Sequence, residues 1–280
     1  MIKIQNNQYK VIDAHLHLPW QDEFSTTEKK LERLQKEMRN NGIDYGILIA
    51  DSILESNIGN NEECLCAVSN VNNLFLVFGI SPIERLGEQL LYCEKLLKDN
   101  KVVGIKLFPG HEDFCMNDPR IKDVINLCLK YEVPLLIHTE WNSEEYPQYS
   151  HPFFIKQLAQ SNSDLNIICC HVWNPRVIES LKLTQEFSNI FYDISSFCMG
   201  KQFFREHPKT LFPSKEKATE YLRYLMKICS ERVLFGSDYG SLSIAEHLEL
   251  VLEAGLKGDE LRTILYKNAN NIFKLGFPNC

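Results

Sequence analysis

The sequence predicts an α/β fold built as a single (β/α)8 TIM barrel, regular or distorted, over residues 1–280. Three observations predict it: eight short apolar runs, a spacing of mostly about 30 residues between them, and helix-start signals directly after several of the runs. The chain has 280 residues, 44% of them hydrophobic and 24% charged. That composition forms a core, and eight strand–helix units need roughly 250 residues.

In chain order the runs are Val11 to Ala14, Tyr45 to Ala50, Leu74 to Ile80, Val103 to Phe108, Pro134 to His138, Asn166 to His171, Ile190 to Ile194 and Val233 to Gly236. Each is continuous rather than alternating, as strands covered on both faces are. Between the fourth and fifth runs, Asp118 to Lys130 reads as a helix, because Ile121, Val124, Ile125, Cys128 and Leu129 form one apolar stripe. Asp118-Pro119 starts it, and the same signal recurs at Ser81-Pro82 and Asn174-Pro175. An open doubly wound sheet is the rival architecture. It calls for a glycine-rich phosphate loop after the first strand, where Asp13-Ala14-His15-Leu16-His17 stands instead. No repeat, low-complexity tract or linker divides the chain. The long segment from Ser195 to Glu231 carries Phe197, Phe203, Phe204 and Phe212 without a clear period, and reads as a lid or an oligomer contact.

Thirty basic against 37 acidic residues give a net charge of -7, which argues against nucleic acid and for a small-molecule partner. The polar N-terminus and the lack of a long apolar run point away from a membrane and toward a soluble, cytoplasmic protein. None of the ten cysteines has the C-x-x-C spacing of a structural zinc site, so they read as free thiols in a reducing compartment.

His15 and His17 lie two residues apart at the end of the first run, so both rings can face one side of a strand and share a metal ion. His138 and His171 each end an apolar run, and Asp238 follows the last. In a barrel these ends meet on one face, where active sites are built. Asp238 can ligate a cation or accept a proton from water. Lys106, within the fourth run, can pair with an anionic substrate, bridge two metals as a carbamate, or snorkel. Trp20, Asp51, Glu140, Trp141, Trp173 and Arg176 lie at or beyond run ends, where each can line a pocket. His111, His151, His207 and His247 fall in loops or helices and are expected to have no ligand role.

These motifs resemble the amidohydrolase superfamily, and more closely its branch called amidohydrolase family 2. The likeness rests on Val-Ile-Asp-Ala-His-Leu-His at 11–17, Gly-Ile-Lys-Leu at 104–107, Ile-His-Thr at 137–139, Cys-His at 170–171, Leu-Phe-Gly-Ser-Asp-Tyr at 234–239 and Asn-Ala-Asn-Asn-Ile-Phe at 268–273. It implies a divalent metal, commonly zinc, held by His15, His17, His138 and Asp238. With one ion, His171 is a second ligand or a polarising group over the substrate; with two, His138 and His171 hold the second ion and a carboxylated Lys106 bridges. The sequence departs from the family at Phe108, where a histidine is frequent, and at Thr-Glu-Trp-Asn after His138, so no substrate pocket is carried over. The expected activity is hydrolysis of an amide, ester or lactone of a small molecule, with Asp238 shuttling the proton and His171 stabilising the oxyanion. Lys106 and Arg176 suit an anionic substrate. Non-oxidative decarboxylation or hydration of a small carboxylic acid is the alternative on the same ligands, a non-catalytic metal- or ligand-binding barrel is a third reading, and a homodimer is one expected assembly.

Overall fold

The computed structural model describes residues 1–4, 7–20, 26–139, 149–206 and 209–278. A short antiparallel hairpin, β1 (Ile2–Ile4) and β2 (Asn7–Tyr9), precedes the barrel. The barrel strands are β3 (Ile12–Leu16), β4 (Tyr45–Ile49), β5 (Leu74–Gly79), β6 (Val102–Leu107), β7 (Leu135–His138), β8 (Ile167–Cys170), β9 (Ile190–Asp193) and β10 (Val233–Leu234). All eight are parallel and pair in sequence order. Helices alternate with them, as a right-handed parallel crossover requires. They are α1 (Thr27–Asn40), α2 (Asn61–Ser69), α3 (Leu86–Lys98), α4 (Lys122–Tyr131), α5 (Pro152–Ser161), α6 (Val177–Thr184), α7 (Lys201–Glu206), α8 (Lys215–Cys229), α9 (Ile244–Glu253), α10 (Asp259–Arg262) and α11 (Asn268–Ile272). The expected (β/α)8 architecture is therefore present, with one irregularity. No ladder joins β10 to β3. Single bonds cross that seam instead: the Ala14 amide donates to the Phe235 carbonyl at 2.8 Å and the Asp238 amide to the His15 carbonyl at 2.9 Å.

Strand parity sorts the side chains into two apolar layers. Ile12, Ala14, Ile47, Ile49, Val77, Leu136, Ile168 and Leu234 form the inner layer. Their chain neighbours Leu48, Leu76, Ile105, Leu135, Ile137, Ile167 and Val233 pack outward with the helices. The C-terminal segment closes the bottom. Tyr266, Ala269, Ile272 and Phe273 join the inner layer, and Phe277 stacks on Tyr45 with ring centroids 4.1 Å apart. No helix of the described residues is long and apolar enough to cross a membrane.

Several expected boundaries move. The last strand stops at Leu234 rather than Gly236, because the Phe235 amide turns to the Ile264 carbonyl at 3.1 Å. Asp118 caps a short 3-10 turn, Pro119–Ile121, before α4 begins. The Ser81 hydroxyl accepts from the amides of Ile83 and Glu84 and holds a turn, so α3 starts only at Leu86. Asn174 does not cap α6; its amide donates to the Ser196 carbonyl at 2.7 Å and ties two loops together.

The motif at 268–273 earns its place in this closure. The Asn268 side chain donates to the carbonyls of Ser230 and Val233, both at 2.7 Å, so α11 grips the shortest barrel strand. Asn268→Ala leaves both carbonyls without that donor and should lower the unfolding free energy by about 1–3 kcal/mol, read from urea denaturation; an unchanged midpoint would remove Asn268 from this role.

Candidate active site

The inward parity of the inner layer carries past the strand ends, and there the apolar side chains give way to titratable ones. Lys106 on β6 and His138 on β7 hold inward positions directly. On β3 a register shift between Asp13 and Leu16 resets the alternation, as bulges do when they re-aim a side chain. His15 and His17 then both line the cleft. His171, Ser196 and Asp238 lie just beyond their strands with φ of 66°, 61° and 56°. Non-glycine residues in this left-handed region are strained and persist where the surroundings over-determine them. All three line the cleft.

The cleft has a volume of about 470 Å³ and is lined by His15, His17, Asp51, Lys106, Phe108, His111, His138, His171, Ser196, Met199, Phe203 and Asp238, among others. Three ligand atoms converge in it. His15 Nε2 lies 3.2 Å from His17 Nε2, His15 Nε2 3.5 Å from Asp238 Oδ1, and His17 Nε2 3.4 Å from Asp238 Oδ1.

The tautomers follow from the partners behind the rings. His15 Nδ1 meets Asp193 Oδ2 at 2.5 Å, so Nδ1–H donates and Nε2 keeps its lone pair. His17 Nδ1–H donates to the Ile49 carbonyl at 2.9 Å, with the same result. Burial lowers the pKa of His15 against the opposing charge of Asp193, which agrees with a neutral ring. Asp193 is itself raised by burial, but His15 outweighs this and holds it below the ordinary carboxylate range. Three acceptors thus face one another with no hydrogen among them.

Such a set fits a divalent metal. Bonds of about 2.0–2.1 Å to tetrahedral ligands place ligand atoms about 3.3–3.4 Å apart, and two imidazoles plus one carboxylate is a donor set of catalytic zinc sites. Asp193 behind His15 is the carboxylate–histidine arrangement that fixes a ligating ring.

The other histidines group differently. His138 belongs to no set of three or more donors mutually within 4.8 Å among the described residues. Its Nε2 instead lies 3.2 Å from Nε2 of His111. His111 arrives on the tight turn after β6, where its amide donates to the Phe108 carbonyl at 3.2 Å. His171 stands between the groups, its ring centroid 5.0 Å from His15 and 4.8 Å from His138. Burial pushes its pKa down to about 3. The Ser195 hydroxyl donates to Asp193 Oδ2 at 2.9 Å, so its oxygen accepts from His171 Nδ1, also at 2.9 Å. The second metal-like cluster, His15 with Cys170 and Asp193, contains a thiol that burial pushes up to about 12.

Sequence reasoning missed Asp193, Ser195 and His111. Asp193 lies inside the apolar run Ile190 to Ile194, one residue before its end, and a carboxylate in such a run is its available signal. Of the residues expected to line a pocket, Asp51 does so. Arg176 is not among the lining residues; it is half-buried just before α6. Trp173 is buried, its indole donating to the Ser150 carbonyl at 2.6 Å, and Trp20 is exposed. Glu140, Trp141 and His207 lie outside the described residues.

A family model described as amidohydrolase matches residues 12–275. No relative among the curated proteins matches the chain. Among solved structures, it is similar to an uncharacterized TIM-barrel protein from Bordetella bronchiseptica at 19% identity, covering 95% of this chain and 98% of that one, TM-score 0.74. It is also similar to a probable 2-pyrone-4,6-dicarboxylic acid hydrolase from Acinetobacter baumannii, at 14% identity, 96% and 100% coverage and TM-score 0.67. A dihydroxybenzoic acid decarboxylase from Polaromonas sp. JS666, solved with bound manganese, gives 14% identity, 97% and 98% coverage and TM-score 0.68.

Two loops that carry cleft residues are held together from behind. His247 on α9 is fully buried; its Nδ1–H donates to the Ser243 carbonyl at 2.9 Å, and its Nε2 accepts the Cys198 amide at 3.4 Å. The second bond needs the neutral ring, because a protonated Nε2 cannot accept. Burial lowers its pKa from the ordinary 6.5, so below that pH the unfolded chain binds a proton that the folded one resists. The stability this link contributes is present above pH 6.5 and falls as the pH drops below it. His247→Asn, which lacks the titrating ring, should lose less stability than the parent between pH 7.5 and 5.5 in urea denaturation; equal losses would exclude His247 as a source of the acid sensitivity.

Proposed function

This chain belongs to the amidohydrolase family, and we propose that it is a metal-dependent hydrolase that cleaves an amide, ester or lactone bond of a small molecule. The observation that carries the reading is the triangle of His15 Nε2, His17 Nε2 and Asp238 Oδ1, with edges of 3.2 to 3.5 Å and lone pairs at each corner. His15, His17 and Asp238 would hold one divalent ion, zinc by the donor set. When bound there, the ion supplies Lewis-acid polarisation and brings the pKa of water toward 7.

The chain's own residues do the rest. Asp193 keeps His15 in the tautomer that offers Nε2, and the Ile49 carbonyl does so for His17. Asp238 takes the proton of the attacking water and passes it to the leaving group. Its second oxygen, Oδ2, accepts from the Ser196 hydroxyl at 3.2 Å, which sets the plane of the carboxylate. His171, with Nδ1 engaged by Ser195, offers a lone pair at Nε2. It would therefore accept a hydrogen bond on the cleft wall, in place of the oxyanion-donor role expected from the sequence. Met199 and Phe203 add apolar surface to the cleft lining.

The same donors support a decarboxylase reading, which the dihydroxybenzoic acid decarboxylase among the similar structures favours. Products separate the two: a new acid from a neutral ester or amide marks hydrolysis, and carbon dioxide marks decarboxylation.

Elemental analysis should find one divalent ion per chain, and chelation should reduce turnover by orders of magnitude, with recovery on adding metal back. A stripped sample as fast as the reconstituted one would refute the mechanism. His15→Ala and Asp238→Asn should abolish measurable turnover without unfolding the barrel. Asp193→Asn should weaken metal affinity by about 10- to 100-fold, read by competition with a chromogenic chelator; wild-type affinity would show that His15 needs no carboxylate behind it.

A further inference from the structure

The cleft holds two pairs of imidazoles whose Nε2 atoms lie 3.2 Å apart, His15 with His17 and His111 with His138. Within each pair the ring planes cross at 71°. The pairs differ in where their nitrogens aim. When two rings bind one ion, each centroid lies on the line from the ion through its nitrogen, so the separations of centroids and of nitrogens stand in the ratio of their distances from the ion. The His15 and His17 centroids are 5.0 Å apart, and their lines meet about 2.0–2.1 Å from each nitrogen, the length of a zinc–nitrogen bond. The His111 and His138 centroids are only 4.3 Å apart. Their lines would meet about 3.3 Å from each nitrogen, too far for that bond.

The second pair is instead bonded to itself. If Nε2–H of His111 donates, the lone pair at Nε2 of His138 is spent; if His138 donates, that nitrogen carries the hydrogen. Neither tautomer leaves Nε2 of His138 free to ligate. The turn that delivers His111 is tied down: the amides of His111 and Glu112 both donate to the Phe108 carbonyl, at 3.2 and 3.0 Å, and Glu112 Oε1 accepts from the Ser52 hydroxyl at 2.7 Å. We propose that His111 is a positioning residue that latches His138 away from the metal, so that the ion keeps three protein ligands and an open position where the family resemblance implies His138. The inference rests on the metal site proposed above and adds which cleft histidine is withheld from it, and by what. An open position is what a catalytic zinc site keeps for water.

Long-range 1H–15N NMR of the full-length protein follows the ring nitrogens one by one. When the stripped protein is loaded with zinc chloride, the Nε2 resonances of His15 and His17 should shift, while both ring nitrogens of His138 should stay where they are. His138→Ala should leave the zinc affinity unchanged, read by competition with a chromogenic chelator. His111→Ala should release His138 to the ion and tighten zinc binding by about tenfold or more. That gain should vanish when His111→Ala and His138→Ala are combined, and His111→Gln, whose amide still donates, should stay near the parent. The latch is overturned by a zinc-induced shift at His138, by weaker zinc binding in His138→Ala, or by unchanged binding in a His111→Ala protein whose circular dichroism is that of the parent. If zinc moves no histidine at all, the metal reading fails instead. The latch is then decided in the stripped protein, where His111→Ala should move the His138 Nε2 resonance and an unmoved one would remove the contact.

Discussion

Three lone pairs aimed at one point repel one another unless a positive charge sits between them, and the upper half of this barrel is organised around that constraint. His15 and His17 each commit Nδ1–H to an oxygen behind the ring, Asp193 for one and the Ile49 carbonyl for the other, which leaves Nε2 of each facing the triangle. Asp238 completes the triangle from the far end of the chain. The neighbouring backbone follows from the same need. A Cβ at Gly236 would stand 2.2 Å from Asp193 Oδ1 and 2.9 Å from His15 Cβ, so the last strand passes this cluster only with a glycine.

The seam between the first and last barrel strands is part of this arrangement. Asp13 Oδ1 accepts from the amides of His15 and Ser237, at 3.1 and 3.0 Å. One buried carboxyl thereby fixes both sides of the join where a ladder is missing. Below it the interior is apolar and sealed by the C-terminal segment. Above it the side chains are imidazole, carboxylate and amine. Stability and chemistry thus occupy opposite ends of one cylinder, as they do generally in this architecture.

Strain is concentrated at the chemical end. Left-handed φ at His171, Ser196 and Asp238 turns side chains into the cleft that a straight continuation of their strands would aim elsewhere. Such conformations need support, and it comes from bonds between loops: Asn174 to Ser196, Ser196 to Asp238, and His247 to Cys198.

The sequence by itself determined which runs become strands and which strand ends carry histidines and an acid, because period-two parity and apolar continuity are local properties. It made His15, His17, His138, His171 and Asp238 legible as candidates, and all five line the cleft. Only the tertiary structure decided their partners. Asp193 sits 178 residues from His15 and becomes its hydrogen-bond acceptor when the barrel closes. His111 lies in a turn, where no periodicity says which way a ring faces, and it is His138 rather than the metal-like triangle that it meets. Arg176 follows a strand end by a few residues, but the path of its loop takes it off the cleft lining. Parity fixes the side of a strand on which a residue lies, while its neighbour there is fixed by contacts between segments distant in the chain.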